Sequence, residues 1–354
     1  MAIPAYCFYR CPNIKEITIP SNITNIGTYA FAYINNLEKI NYYPENLSFS
    51  TSDIFYNSGS ASEKLECYIG KFKNLPSLFY SSSNIYLTKI VFSDLSEASS
   101  ISSYAFYKGR SGVEVHIPSL YDWMKLSFSN GYANPLQISS AKLYVNGALL
   151  TEFQDYESLT KVKDYAFYGY SHLKEINLGT YVTSIGGSSF YNNAGLKLVT
   201  LQKRISTIGS GAFSSCSALE NFNYYAESVT STSKAFESSG ANGKIIFYGT
   251  VKSIPATLFS GASFSEIIFE NNENGLAVGS SFMTAAKTVR AASLENWCSF
   301  TFSGYTSNPI ANNSAALYID NEIVEYLSIP ENVVKVNKYA FYNYKYLKGI
   351  NIPA

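Results

Sequence analysis

Residues 165–178, Tyr165-Ala166-Phe167-Tyr168-Gly169-Tyr170-Ser171-His172-Leu173-Lys174-Glu175-Ile176-Asn177-Leu178, decide the fold. The last six read Leu-x-x-Ile-x-Leu, and the final apolar pair, two residues apart, has the inward period of a short strand. The same hexad recurs at Ile14-x-x-Ile17-x-Ile19, Leu37-x-x-Ile40-x-Tyr42, Leu219-x-x-Phe222-x-Tyr224 and Leu347-x-x-Ile350-x-Ile352. The Phe ahead of the hexad, usually preceded by Ala, recurs at positions 8, 31, 55, 79, 106, 167, 190, 213, 236, 259, 282 and 341. Five consecutive steps from Phe167 to Phe282 are each 23 residues. A fixed step of that length is the signature of a stacked-repeat architecture, not of an ordinary globular core.

Each unit reads as one coil. After the hexad comes a turn, marked by Pro20 or Pro330, then a second apolar pair such as Ile23 and Ile26, Val182 and Ile185 or Ile205 and Ile208. This pair leads to Gly27, Gly186 or Gly209, and a tight helical turn carrying Ala-Phe closes the coil. A lone coil would leave its Leu, Ile and Phe half covered. Stacking at strand spacing buries them at about 1.5–3 kcal/mol each, so the repeat is first a folding device. Phe31, Phe167, Phe190, Phe213 and Phe236 are expected in the core.

Two steps, Phe106 to Phe167 and Phe282 to Phe341, are much longer, and their contents match at a constant offset of 174. Ser119-Leu-Tyr-Asp-Trp123 aligns with Ser293-Leu-Glu-Asn-Trp297, Asn134-Pro135 with Asn308-Pro309, and Leu143-Tyr-Val-Asn-Gly147 with Leu317-Tyr-Ile-Asp-Asn321. Segments 116–150 and 293–324 therefore read as two islands, each a short amphipathic helix, a Pro-containing loop and a hairpin turned at Asn-Gly or Asp-Asn. Trp123 and Trp297, each three residues after a Leu, read as core residues of those helices. Similarity at an offset of 182, Asn41-Tyr-Tyr against Asn223-Tyr-Tyr, extends the duplication to blocks 41–178 and 223–352. Residues 1–354 are expected to form one continuous array, a segment of a longer protein.

Composition excludes several functions. Lys+Arg and Asp+Glu are both 26, and only 15% of residues are charged, so no electrostatic footprint for nucleic acid or anionic lipid exists. No apolar run is long enough to span a membrane, and MAIPAYCFYR has no signal-peptide blocks. The five cysteines are odd in number and scattered. Cys7 and Cys11 have no second Cys or His pair to complete a zinc site, so packed thiols are expected. The histidines, His116 and His172, read as structural; His172-x-x-Glu175 lacks a third ligand, and Ser171-x-x-Lys174 is not repeated in other coils. No phosphate loop, dinucleotide fingerprint or paired catalytic carboxylates occur. The chain reads as a non-enzyme with no cofactor.

The unit Cys7-Phe8-Tyr-Arg-Cys11-Pro-Asn-Ile14-Lys-Glu-Ile17-Thr-Ile19-Pro20-Ser-Asn-Ile23-Thr-Asn-Ile26-Gly27 resembles the BspA-like (Treponema-type) leucine-rich repeat of bacterial and protozoan surface proteins, as does Ala212-Phe213-Ser-Ser-Cys216-Ser-Ala-Leu219. Tyr170, Tyr344 and Asn193 stand where that repeat has Cys, and the hexads around Leu65 and Leu87 are irregular. The resemblance implies a β-rich α/β solenoid with a parallel sheet on one face. It also implies secretion or surface display and a role in adhesion or protein binding, and it supplies no catalytic residues.

The expected function is an extracellular or cell-surface interaction module whose partner is a protein or glycan on a host or neighbouring cell; the alternative is a structural spacer that displays a neighbouring domain. The outward positions of the hexads are the candidate binding face: Lys15, Glu16 and Thr18; Glu38, Lys39 and Asn41; Lys174, Glu175 and Asn177; Glu220, Asn221 and Asn223. The same positions could equally be a solvated sheet surface. A second candidate is the turns crowded by Tyr168, Tyr170, Tyr342, Tyr344 and Tyr346, since Tyr gives large contact area at low entropy cost. A plain covering role for those rings is the competing account.

Overall fold

A computed structural model describes residues 1–47, 53–61, 64–79, 85, 87–107, 109–153, 159–231, 234–272, 275–283, 285–312 and 315–353. They form two compact units, one of residues 1–151 and 162–172, the other of residues 152–161 and 173–354.

In the first unit the hexads stack as parallel strands Glu16–Ile19, Lys39–Tyr42, Leu65–Ile69, Leu87–Phe92, Glu114–Ile117 and Lys142–Val145, in chain order. The second unit repeats this with Glu175–Asn177, Leu198–Leu201, Asn221–Tyr224, Lys244–Phe247, Glu266–Phe269, Thr288–Ala291 and Ala316–Ile319. Alternation decides the faces: Ile17, Ile19, Ile40, Ile176, Val199 and Phe222 are buried, and the residues between them point outward. A register shift between Leu65 and Glu66 accounts for the irregular hexads there.

The expected single sheet is accompanied by a second. The apolar pairs form two-residue strands, such as Ser184–Ile185 beside Thr207–Ile208, which pair in parallel from coil to coil. The corner glycines are required by closeness: a Cβ on Gly27 would lie 2.3 Å from Ala5 N, and one on Gly209 2.3 Å from Gly187 N.

The Phe turn is not helical. The amides of Phe8 and Phe190 and of the residues two positions before and after them donate to the next coil: Tyr6 to Thr28 O, Phe8 to Ala30 O and Arg10 to Ala32 O, and likewise Ser188 to Ser210 O, Phe190 to Ala212 O and Asn192 to Ser214 O. Alternate amides committed along the stacking direction cannot make helical i→i−4 bonds. The rings stack inside, with centroids 5.1 Å apart for Phe190 and Phe213, 5.0 Å for Phe213 and Phe236 and 4.8 Å for Phe236 and Phe259. Phe31, Phe167, Phe190, Phe213 and Phe236 are all buried; Phe8 is 40% exposed.

Segments 116–150 and 293–324 each hold a short helix and an antiparallel hairpin, built into an enlarged coil. The helix Leu120–Lys125, capped by Ser119 Oγ accepting from Asp122 N, occupies the turn after the long strand, and Leu294–Ser299, capped by Ser293, does the same. Ser127–Phe128 and Thr301–Phe302 then join the short sheets, and Lys142–Val145 continues the long sheet in parallel with Glu114–Ile117. Among the described residues only Ala148–Leu149 and Glu322–Ile323 turn back antiparallel, through Asn146-Gly147 (φ 49° and 84°) and Asp320-Asn321 (φ 51° and 63°). Substituting a helix for a turn lengthens the coil without breaking the stack, because the backbone pairing on either side is unchanged.

Trp123 and Trp297 are fully buried, and their Nε1 groups donate to Ala166 O and Ala340 O, both at 2.9 Å. Asn134 and Asn308 converge on the same turns. Asn134 Nδ2 donates to Tyr165 O and Ala166 O, both at 2.8 Å, and Asn308 Nδ2 to Tyr339 O at 2.7 Å and Ala340 O at 3.0 Å.

Candidate functional site

The outward sheet positions form two rows in each unit. In the first unit, strand register brings Glu16, Lys39, Glu66, Lys89, Glu114 and Lys142 side by side, so the charges alternate across all six strands. Opposite charges directly across a strand pair support register at about 0.2–1 kcal/mol each. They also neutralise one another. Lys39 Nζ lies 3.1 Å from Glu16 Oε1, and Lys15 Nζ 3.0 Å from Glu38 Oε1. Asn41 is buried, against expectation, with its Nδ2 donating to Glu16 Oε1 at 2.7 Å and Thr18 Oγ1 at 3.1 Å. Its hydrogen-bonding capacity serves the sheet instead of a ligand.

In the second unit Lys174, Glu175 and Asn177 are exposed, and Asn177 Oδ1 accepts from Gln202 Nε2 at 2.8 Å. Glu220 pairs with Lys197 at 2.9 Å, and Asn223 donates to Thr200 Oγ1 at 3.3 Å; Asn221 is half-buried. The face is thus wired mostly to itself, and aligned charges of both signs leave no strong field for a partner.

The tyrosine turns are built differently. The residues two before and two after the anchor Phe repeatedly take left-handed backbone angles. After Phe these are Arg10, Tyr33, Asn57, Gly169, Asn192, Ser215, Ser238, Gly261 and Asn343; before Phe they are Tyr6, Tyr29, Tyr104, Tyr165, Ser188, Gly211, Lys234, Thr257 and Tyr339. Gly, Asn or Ser meets this need at little cost, whereas a bulky residue with φ near 60° costs roughly 1–2 kcal/mol. Six tyrosines nevertheless occupy these positions.

Where Tyr also follows Phe, the two rings stand edge to face. Tyr6 and Tyr9 are 5.5 Å apart, Tyr104 and Tyr107 5.4 Å, and Tyr165 and Tyr168, like Tyr339 and Tyr342, 5.9 Å. Neighbouring coils join these pairs into clusters. Tyr6, Tyr9, Tyr29, Tyr33 and Tyr56 form one, with the Arg10 guanidinium 5.3 Å from the Tyr9 and Tyr33 rings; Tyr104, Tyr107 and Tyr132 form another. Nearby Asp53 raises the Tyr29 phenol above its ordinary pKa and burial raises that of Tyr33, so both stay neutral. The sequence signal for these clusters is Tyr-Ala-Phe-Tyr or Tyr-Cys-Phe-Tyr, whose first Tyr is not among the candidate turn residues named from the sequence.

The profile of the BspA type leucine rich repeat region matches residues 1–134, 137–266 and 312–354, in six copies. The chain belongs to that family. No curated protein sequence matches it. Among solved structures, a leucine-rich repeat protein from Bacteroides ovatus is similar with a TM-score of 0.54 at 16% identity, over 100% of this chain and 87% of that one. The pneumococcal vaccine antigen PcpA gives 0.47 at 18%, over 91% and 84%. A leucine rich cell surface protein from Faecalibacterium prausnitzii gives 0.37 at 16%, over 76% and 82%.

In this BspA-type chain the turn tyrosines divide into two kinds. Tyr168, Tyr342 and Tyr346 lie at the surface, but Tyr170 and Tyr344 are buried. Their hydroxyls accept from the long strand that precedes each turn, at Leu143 N (3.4 Å) and Leu317 N (3.2 Å). They fill the place of the repeat's Cys, where Cys216 Sγ instead meets Phe190 O at 3.2 Å, so they are core residues and not part of a binding face. Burial pushes the Cys216 thiol up to about 12 and Cys298 to about 11, which makes both poor nucleophiles. All five cysteines are free thiols. Among the described residues no group of three or more His, Cys, Asp or Glu could hold a metal ion, and no helix is long and apolar enough to cross a membrane.

Proposed function

We propose that this BspA-type repeat array is a cell-surface interaction module that engages a protein partner through its tyrosine turns and carries out no catalysis. The observation that supports this is the occupancy of left-handed positions by Tyr6, Tyr29, Tyr33, Tyr104, Tyr165 and Tyr339, when Ser188, Gly211 and Asn192 meet the same backbone need in other coils. The fold imposes the left-handed angle but not the residue that bears it, and a tyrosine held there with its ring partly exposed suits a contact surface. Rings standing edge to face give a ridged surface suited to protein side chains rather than the flat platform that a sugar ring requires. Secretion, adhesion and the identity of the partner belong to the same proposal. So does the reading of blocks 41–178 and 223–352 as a duplication within one array, which is supported by the equivalent Trp and Asn bonds at an offset of 174.

The test compares two variants on immobilised panels of host-surface proteins and glycans. Tyr29→Ser with Tyr33→Asn substitutes residues that other coils use at those positions, so the fold should persist. Lys174, Glu175 and Asn177 all changed to Ser alters the sheet face. Attachment to a protein should fall at least tenfold for the first variant and survive in the second, at unchanged melting temperature. The reverse pattern would place binding on the sheet, and no attachment by the wild type would favour the spacer.

A further inference from the structure

Among the described residues, the tightest aromatic contact with parallel rings is between Tyr225 and Tyr248, which follow consecutive long strands. Their centroids are 3.9 Å apart and their planes differ by 9°. Both are half-buried. Backbone pairing fixes them from below: Tyr225 N donates to Leu201 O, Tyr248 N to Tyr224 O, and Thr250 Oγ1 to Tyr225 O at 2.6 Å. Tyr248 OH also reaches Asn223 Oδ1 at 3.4 Å. Most ring pairs among the described residues are tilted or edge to face; the stacked Phe pairs lack phenols, and the other stacked tyrosine pair, Tyr104 and Tyr132, is wider at 5.4 Å.

We propose that Tyr225 and Tyr248 are a site of oxidative cross-linking, closing a dityrosine bond between adjacent coils when a haem peroxidase and hydrogen peroxide act on the protein. The geometry suits the chemistry. The enzyme, through one H2O2, removes one hydrogen atom from each phenol O–H, and the peroxide is reduced to two molecules of water. The two phenoxyl radicals pair their electrons in a new bond between ring carbons ortho to oxygen. That bond forms perpendicular to each ring plane, the direction in which stacked rings face each other. Each ortho hydrogen then leaves as a proton while one returns to each oxygen, restoring both aromatic phenols. The protein has lost two hydrogen atoms.

The coupling is intramolecular because stacking holds the second ring at an effective concentration that no encounter between chains can match. Isolated exposed tyrosines such as Tyr326, at 74% exposure, can couple only between molecules. The bond would close a 23-residue loop, constraining the unfolded chain and fastening two coils together.

The 354-residue chain is treated with horseradish peroxidase and limiting peroxide, then digested and analysed by mass spectrometry alongside dityrosine fluorescence. The expected product is a joined peptide containing Tyr225 and Tyr248, two hydrogens lighter than the sum of its parts, in a monomer that melts higher than the untreated protein. Its yield should not change over a tenfold dilution. Tyr248→Phe keeps the stacked ring and the untreated melting temperature but should abolish the joined peptide; Tyr225→Phe should do the same. Dityrosine found only between chains, falling with dilution, or a Tyr225–Tyr248 pair left uncoupled while other tyrosines react, would overturn the proposal.

Discussion

Phe213→Ala tests the ring ladder where it is most regular. Phe213 is fully buried, stacks on Phe190 at 5.1 Å and Phe236 at 5.0 Å, and meets the edge of Phe222 at 6.4 Å. Truncating a buried Phe costs about 3–5 kcal/mol through lost transfer energy and the cavity left behind. Two stacked pairs are broken at once, each worth about 0.5–1.5 kcal/mol beyond burial, so the upper part of that range is expected. The loss should be local. Stability in a stacked array is shared between neighbours, so amides of the coils anchored by Phe190 and Phe236 should exchange faster while those near Phe31 keep their protection. Denaturant unfolding gives the magnitude and hydrogen exchange gives the distribution. Phe8→Ala, at a site already 40% exposed, is the control and should cost much less. A Phe213→Ala cost under about 1.5 kcal/mol, below any buried Phe truncation, or exchange that rises uniformly, would refute the ladder as the source of cohesion.

Tyr224→Phe removes a buried hydroxyl that has no partner among the described residues, and should raise stability by about 1 kcal/mol, read as a higher denaturation midpoint. Glu227 lies between Lys203 at 2.9 Å and Lys252 at 2.7 Å, which lower its pKa from 4.5 to about 2. Because the folded value is depressed, the stabilisation is present above the ordinary carboxylate value and is lost as pH falls from about 4.5 to about 2; carboxyl NMR should find Glu227 charged at pH 3.5 in wild type and largely protonated once both lysines are Met. Asn308→Asp turns the donor facing Tyr339 O and Ala340 O into a carboxylate oxygen, and should cost more than Asn308→Ala in thermal melts at neutral pH.

The stacked strands and the Phe core were legible because period two and a 23-residue step are direct consequences of pleating and coil closure. The turns were less so. Tyr, Arg, Lys and Thr do not announce a left-handed backbone; the angle at Tyr29 or Lys234 is imposed by amides committed to the next coil, which residue type does not reveal. For the same reason the Ala-Phe turn read as helical. Eight of the twelve candidate sheet residues lie on the strands and Lys15, Glu38, Lys174 and Glu220 immediately before them, but their partners come from neighbouring coils about 23 residues away. Only the register shows that Lys15 meets Glu38, or that Asn41 is enclosed between Glu16 and Thr18. Tyr170 and Tyr344 are not legible from their turns because a residue there can reach inward to the preceding long strand as easily as outward.

The enlarged coils tie these levels together. A helix in place of a turn adds nothing to strand pairing, yet each one delivers a buried Trp, followed by a buried Asn, to the turn that begins Tyr165 or Tyr339. The carbonyl of Ala340 receives two donors, Trp297 Nε1 and Asn308 Nδ2, and that of Tyr339 a third bond, while Asn308 Oδ1 accepts from Ile310 N at 3.0 Å. Such a buried and fully engaged set of donors offsets the strain of a tyrosine at φ 70° and leaves its ring directed into the pair with Tyr342. Tyr305, from the same enlarged coil, then packs on Tyr342 at 5.5 Å; at the equivalent place in the first unit Gly131 lies so close to Tyr168 that a Cβ would come within 2.8 Å of the ring. The helix, Trp and Asn of each insertion thus act on the tyrosine turns, while its strand only extends the sheet, which is the physical reason to look for the partner at the turns.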